Sequence, residues 1–181
     1  MDKFPSELKN IQWKTFKETD LIEFFSKNLI STKENLDILI LGSYRGSNSI
    51  PDLENFRDIL KAKGIKGAHL AIDRMQHISQ ELSETEYNYI NSFDQIEKCD
   101  FGIFVLYGDR ENSGPAIELQ HSLQSDFGHK LYVGIRSSEA NEISSMIKGA
   151  IEHHKIVKYE FETLEDLASA FEGYLDSKEL A

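Results

Sequence analysis

The chain is short of the residue types that announce several kinds of protein. It has one cysteine, Cys99, in 181 residues, so a disulfide framework and a thiolate metal site are both excluded. No stretch approaches the ~20 consecutive apolar residues that a membrane span needs, and the opening MDKFPSELKN lacks the apolar core of a secretion signal. A cytoplasmic location without a membrane partner is the expectation. Positive charge is also scarce. Twenty Lys and Arg stand against 31 Asp and Glu, a formal net charge of −11, and a field of that sign repels nucleic acid and anionic membranes. The phosphate and hydrolase signatures GxGxxG, GK[ST] and GxSxG do not occur.

What is present is a regular alternation. Asp37–Leu41, Ala68–Ile72, Phe101–Leu106, Lys130–Ile135 and Ile156–Phe161 are short apolar or β-branched runs that read as strands. Between them lie helical patterns: Pro51–Lys63, with Leu53, Phe56, Ile59 and Leu60 inward and Gly64 as its stop; a helix reaching Cys99 from the capping box Ser83-x-x-Glu86; one from Pro115 to about Gly128; Ser138–Ile151; and a last one capped by Thr163-x-x-Asp166. Strands and helices at this spacing form βαβ units and therefore a parallel sheet covered on both faces. The expected fold is a three-layer, doubly wound, five-stranded α/β domain over residues 37–181, in the flavodoxin-like order 2-1-3-4-5. Residues 1–36, with an amphipathic stripe of Leu21, Phe25 and Leu29, read as an N-terminal helical extension packed on it.

In that order the first and third strands are neighbours, and the loops after Gly42 and Tyr107 face one crevice at the switch point, where open α/β sheets bind ligands. Both loops are rich in Gly, Ser, Asn and Arg. Four of the five arginines, Arg45, Arg74, Arg110 and Arg136, fall just after an expected strand, a pattern that fits either a local anion site or pairing with Asp73, Asp109 and Glu111. Glu118 stands about one turn into the helix that follows the third strand. There it is either a catalytic carboxylate at the crevice or an ordinary solvated residue.

The residues that line this crevice resemble two related groups. Gly42-Ser43-Tyr44-Arg45-Gly46 is similar to the S-[FY]-R-G opening of TIR domains, and Ile96–Val105 followed by a loop and Glu118-Leu119 is similar to their later pattern. Asp100 through Asn112-Ser113-Gly114-Pro115-Ala116-Ile117-Glu118 also resembles the nucleoside 2-deoxyribosyltransferases, whose loop reads D-x-G-x-x-x-E and ends in the nucleophile. Both groups act on the bond between a base and the anomeric carbon of a pentose. The resemblance implies an N-glycosidase or N-ribosyl transferase, with NAD among the candidate substrates. In it Glu118 is the catalytic carboxylate. Gly42, Ser43, Tyr44, Arg45, Arg74, Asp109, Arg110, Asn112, Ser113 and Gly114 would bind a nucleoside or nucleotide, with no cofactor and no metal. Homo-oligomerisation stays open.

The chain departs from both patterns. Asn112 replaces the transferase Asp, the transferase strand Tyr falls on Ile40, and its earlier Asp falls near Ser92; Gly114-Pro115 stands where TIR domains have an aromatic-Cys pair. A binding module without turnover is therefore the second expectation, and a flavin-mononucleotide carrier a third. Glu118-x-x-His121 is half of a di-iron motif, but its second half is missing. His69 and the His153-His154 pair read as structural or solvated.

Overall fold

A computed structural model describes residues 33–44, 49–74, 83–125 and 127–179. The amphipathic stripe expected before residue 33 and Arg45 lie outside the described residues. Five strands, β1 (Ile38–Gly42), β2 (Ala68–Leu70), β3 (Phe101–Leu106), β4 (Leu131–Arg136) and β5 (Val157–Phe161), form one sheet in the order β2-β1-β3-β4-β5, every neighbouring pair parallel. The helices are α1 (Ser49–Ala62), α2 (Glu84–Lys98), α3 (Ser113–Gln124), α4 (Ser145–His153) and α5 (Leu164–Glu179). This is the flavodoxin-like topology the alternation implied.

Side chains leave a strand to opposite faces in turn, and the two cores follow that rule. Ile38, Ile40, Ile103 and Val105 face one side, where α1 brings Leu53, Phe56 and Leu60 and α5 brings Leu167, Phe171 and Leu175. Leu39, Leu41, Phe104, Leu106, Val133 and Ile135 face the other, against Ile96, Leu119, Ile147 and Ile151 of α2, α3 and α4. Large side chains such as Phe56, Phe104, Phe161 and Phe171 are completely buried, each worth roughly 1.5–3 kcal/mol of transfer free energy. Both faces of the central strands are covered, so these strands read as continuous apolar runs.

Local chemistry sets the boundaries. Ser83 caps α2: its Oγ accepts from the Glu86 amide, and the Glu86 carboxylate accepts from the Ser83 amide at 3.0 Å. Thr163 and Asp166 make the same reciprocal pair ahead of α5. Three boundaries differ from expectation. β2 ends at Leu70 because the Asp73 carboxylate accepts from the Leu70 amide at 2.9 Å and winds Ala71–Arg74 into a 3₁₀ turn. The expected helix over 138–151 is a 3₁₀ segment, Ser137–Glu142, followed by α4, which restarts where Ser144 Oγ accepts from the Met146 amide. α3 stops at Gln124, and Phe127–Lys130 is again 3₁₀.

Gly42 decides how closely the first and third strands approach at the crevice. A Cβ there would lie 2.9 Å from the Val105 carbonyl oxygen and from a Leu53 methyl, so any larger residue would push β1 away from β3. Among the described residues no helix is long and apolar enough to cross a membrane.

Candidate functional site

Glu118 lies in the second turn of α3, with α3 anchored by Leu119 in the core beneath it. Its carboxylate is turned inward to α2, where Ser92 Oγ donates to Oε1 in a short hydrogen bond. Burial raises its pKa from the ordinary 4.5 to about 7, and the Ser92 hydrogen bond pulls the other way. Near neutral pH such a carboxyl group exchanges a proton readily, as catalytic carboxyls do.

Two cavities meet at this side chain. One, of about 290 Å³, is walled by Tyr44, Ala71, Ile72, Asn88, Asn91, Ser92 and Glu118. The other, of about 180 Å³, is walled by Gly42, Ser43, Tyr44, Glu111, Ser113, Gly114, Pro115 and Glu118. Tyr44 and Glu118 belong to both. Taken together these spaces are on the scale of small-molecule sites, ~300–1,000 Å³. The Tyr44 hydroxyl is buried beside the Ala71 backbone. Its pKa is raised, first by burial and then by the negative charge of Glu118, so it stays protonated and can donate.

The first cavity owes its polarity to one stripe of α2. Asn88, Asn91, Ser92 and Gln95 recur at helical spacing and face the 3₁₀ turn after β2, where Gln95 Nε2 donates to the Ala71 carbonyl at 3.0 Å. Sequence reasoning did not single out Asn88, Asn91 or Ser92 as site residues. The one available signal was the alignment of the transferase Asp near Ser92.

The expected binding residues separate. Gly42, Ser43, Tyr44, Ser113 and Gly114 line the crevice with Glu118. Asn112 works behind it: its Nδ2 donates to the carbonyls of Tyr107, at 2.8 Å, and Arg110, at 3.1 Å, closing the loop that leads into α3. Arg110 is largely buried, paired with Asp52 of α1 and stacked 3.6 Å from the Tyr107 ring centroid. Its charge is thus already engaged, and Asp109 beside it is exposed. Arg74 turns to the opposite edge of the sheet, where it meets Asp37 at 2.7 Å just ahead of β1. Arg136 lies 3.8 Å from Glu139.

The other histidine readings resolve as contacts. His121 stacks on Phe93 with centroids 4.1 Å apart and meets Glu97 at 3.2 Å. His69 is buried with Nδ1 at 3.0 Å from the Gly67 carbonyl. No group of three or more His, Cys, Asp or Glu among the described residues is arranged to hold a metal ion.

No protein-family model matches the chain, and no curated protein matches it. Among solved structures, it is similar to the Clostridium botulinum CMP N-glycosidase BcmB, with 16% identity and a TM-score of 0.46, over 80% of this chain and 99% of that one.

Proposed function

We propose that the protein cleaves the N-glycosidic bond of a nucleoside or nucleotide, with Glu118 as the carboxylate that meets the anomeric carbon. The observation that carries this reading is the position of the Glu118 carboxyl in the wall common to two cavities, one broad and bordered by apolar and amide side chains, the other small and hydroxyl-lined. A base fits the first, between Tyr44, Ile72 and the amides of Asn88 and Asn91. The sugar sits at the junction, and Ser43 and Ser113, whose hydroxyl now donates to Glu111 at 2.7 Å, border its 5′ side.

As the carbon–nitrogen bond breaks, its electron pair leaves with the base, which takes a proton from solvent, and positive charge develops on the sugar. The ionised Glu118 stabilises that charge or bonds to the anomeric carbon; water, or a second acceptor base, then attacks the same carbon and restores the carboxylate. Tyr44, held protonated beside Glu118, donates a hydrogen bond on that side of the sugar.

The test is incubation with a panel of nucleosides, nucleotides and NAD and chromatography of the released base. The parent protein releases base from at least one member, and Glu118→Gln reduces the rate by about 10³-fold or more with an unchanged circular-dichroism spectrum. Equal release by parent and variant would remove Glu118 from the chemistry. A second reading, ligand binding without turnover, is favoured by Asn112, which serves the loop backbone where the transferases carry an Asp. Calorimetric binding with the ligand recovered intact would select it.

A further inference from the structure

At the opposite edge of the sheet, where β4 and β5 begin, lies a cavity of about 380 Å³ whose wall includes His129, His154, Lys155, Tyr174 and Lys178 and, among the described residues, no acidic one. That composition is unusual for a chain of net charge −11. A comparable cavity of about 300 Å³ beside α4 and β5 has Lys148 and Lys158 but sets Glu152 and Glu160 against them. Glu172 and Asp176 of α5 are engaged elsewhere, in pairs with Lys33 and Lys63. Lys178 stands over the Tyr174 ring, 5.6 Å from its centroid. Neither Lys155 nor Lys178 has an ion-pair partner among the described residues.

The backbone fixes where Lys155 stands. Lys155 has φ of 52°, the one positive value at a non-glycine position among the described residues. It follows α4 in the turn closed by Ile156 N–H to the Ile151 carbonyl and Lys155 N–H to the Glu152 carbonyl, a helix ending in which glycine is favoured at that position. A lysine there holds the chain in a conformation its Cβ disfavours. The helix ending accounts for that backbone, and it directs the Lys155 side chain to the cationic wall.

We propose that this cavity is a binding site for a small multivalent oxyanion, distinct from the Glu118 crevice, with Lys155 and Lys178 as its principal cations. Phosphate groups and polycarboxylates share that chemistry, and inorganic pyrophosphate and citrate separate them as probes.

The experiment is calorimetry of the full chain with each probe at low ionic strength, alongside amide chemical shifts. Pyrophosphate, citrate or both bind with Kd below about 1 mM and shift the amides of Gly128 and 154–157. Binding by one probe alone identifies the phosphate or the carboxylate source. Lys155→Gly relieves the backbone and raises Tm by about 2–4 °C while weakening the bound probe at least about threefold; Lys178→Met weakens it without the gain in Tm. The proposal is overturned if neither probe gives saturable binding, if the shifts fall at Ser113 and Gly114 instead, or if both variants bind as the parent does.

Discussion

Ser92 of α2 donates its hydroxyl proton to the Glu118 carboxylate of α3, so the candidate catalytic group is held from the neighbouring helix rather than from its own. The hydrogen bond opposes the effect of burial, which lifts Glu118 to about 7. A neutral donor does this without adding a second negative charge beside Glu118.

Ser92→Ala therefore raises the Glu118 pKa further. A hydrogen bond to a charged group is worth about 1.5–3 kcal/mol, and 1.36 kcal/mol corresponds to one pKa unit, so the expected displacement is about one to two units. Carbon-13 titration of the Glu118 carboxyl reads it directly, and the acid limb of the rate profile moves in the same direction. Ser92→Thr, which keeps the hydroxyl, restores the parent midpoint. An unmoved midpoint in Ser92→Ala would mean that the contact does not orient the ionised carboxylate.

Glu118 also makes stability depend on pH. Its folded pKa, about 7, exceeds the ordinary 4.5, so the folded chain holds this proton more tightly than the unfolded chain. The contribution is complete below about pH 4.5 and is lost as pH rises through 7. Glu118→Gln, which cannot ionise, is thus more stable than the parent above pH 7 by on the order of 3 kcal/mol, or about 6–12 °C in Tm. The difference shrinks toward pH 4.5. Calorimetric scans at pH 5 and pH 8 test both the sign and the trend.

Arg110 ties the loop after β3 to α1 through Asp52 and lies flat on Tyr107. Arg110→Ala leaves Asp52 without its cation and uncovers the ring, at a cost of about 1–3 kcal/mol in chemical denaturation. Arg110→Lys recovers little of this, since an ammonium cannot both reach the carboxylate and stack on the ring. If Arg110 acted only on a substrate anion, both variants would denature at the parent midpoint.

Gly108 admits the 137–142 segment against the same loop. A Cβ there would stand 2.3 Å from the Glu139 carbonyl oxygen and 2.6 Å from the Glu142 Cβ, where the Gly108 amide now donates to the Glu139 carboxylate at 3.1 Å. Gly108→Ala separates the two segments and destabilises by about 3 kcal/mol. Gly114→Ala, with open space around its Cβ position, changes the midpoint by less than about 1 kcal/mol. A denaturant midpoint for each variant, measured side by side, distinguishes them.

The topology was legible because every strand of this sheet carries its own signal: short β-branched runs, each followed by a helical stripe, leave few ways to connect them. That Glu118 shares one crevice with Gly42, Ser43 and Tyr44 was legible for the same reason, since strand order alone brings those loops together. Ser92 was not, because a serine inside a helix has no local mark, and its role depends on the rotation of α2 against α3. Arg74 could not be placed from its spacing either. Proximity to a strand end does not fix where a long side chain goes, and the 3₁₀ turn built by Asp73 directs this one to Asp37. The division of the 138–151 helix escaped for a related reason: Ser137–Glu142 has helical composition, and the Ser144 cap acts too far along to be distinguished from an ordinary interior serine.

β5 forms one border of the sheet, with Lys158 and Glu160 alternating along it and most of its side chains exposed. A sixth strand adding there from another molecule would have to bring its own backbone beside a lysine and a glutamate that water now surrounds. Such inlaid charge discourages cross-molecular ladder growth, so the fold keeps an open hydrogen-bonding margin without inviting fibrils to start from it.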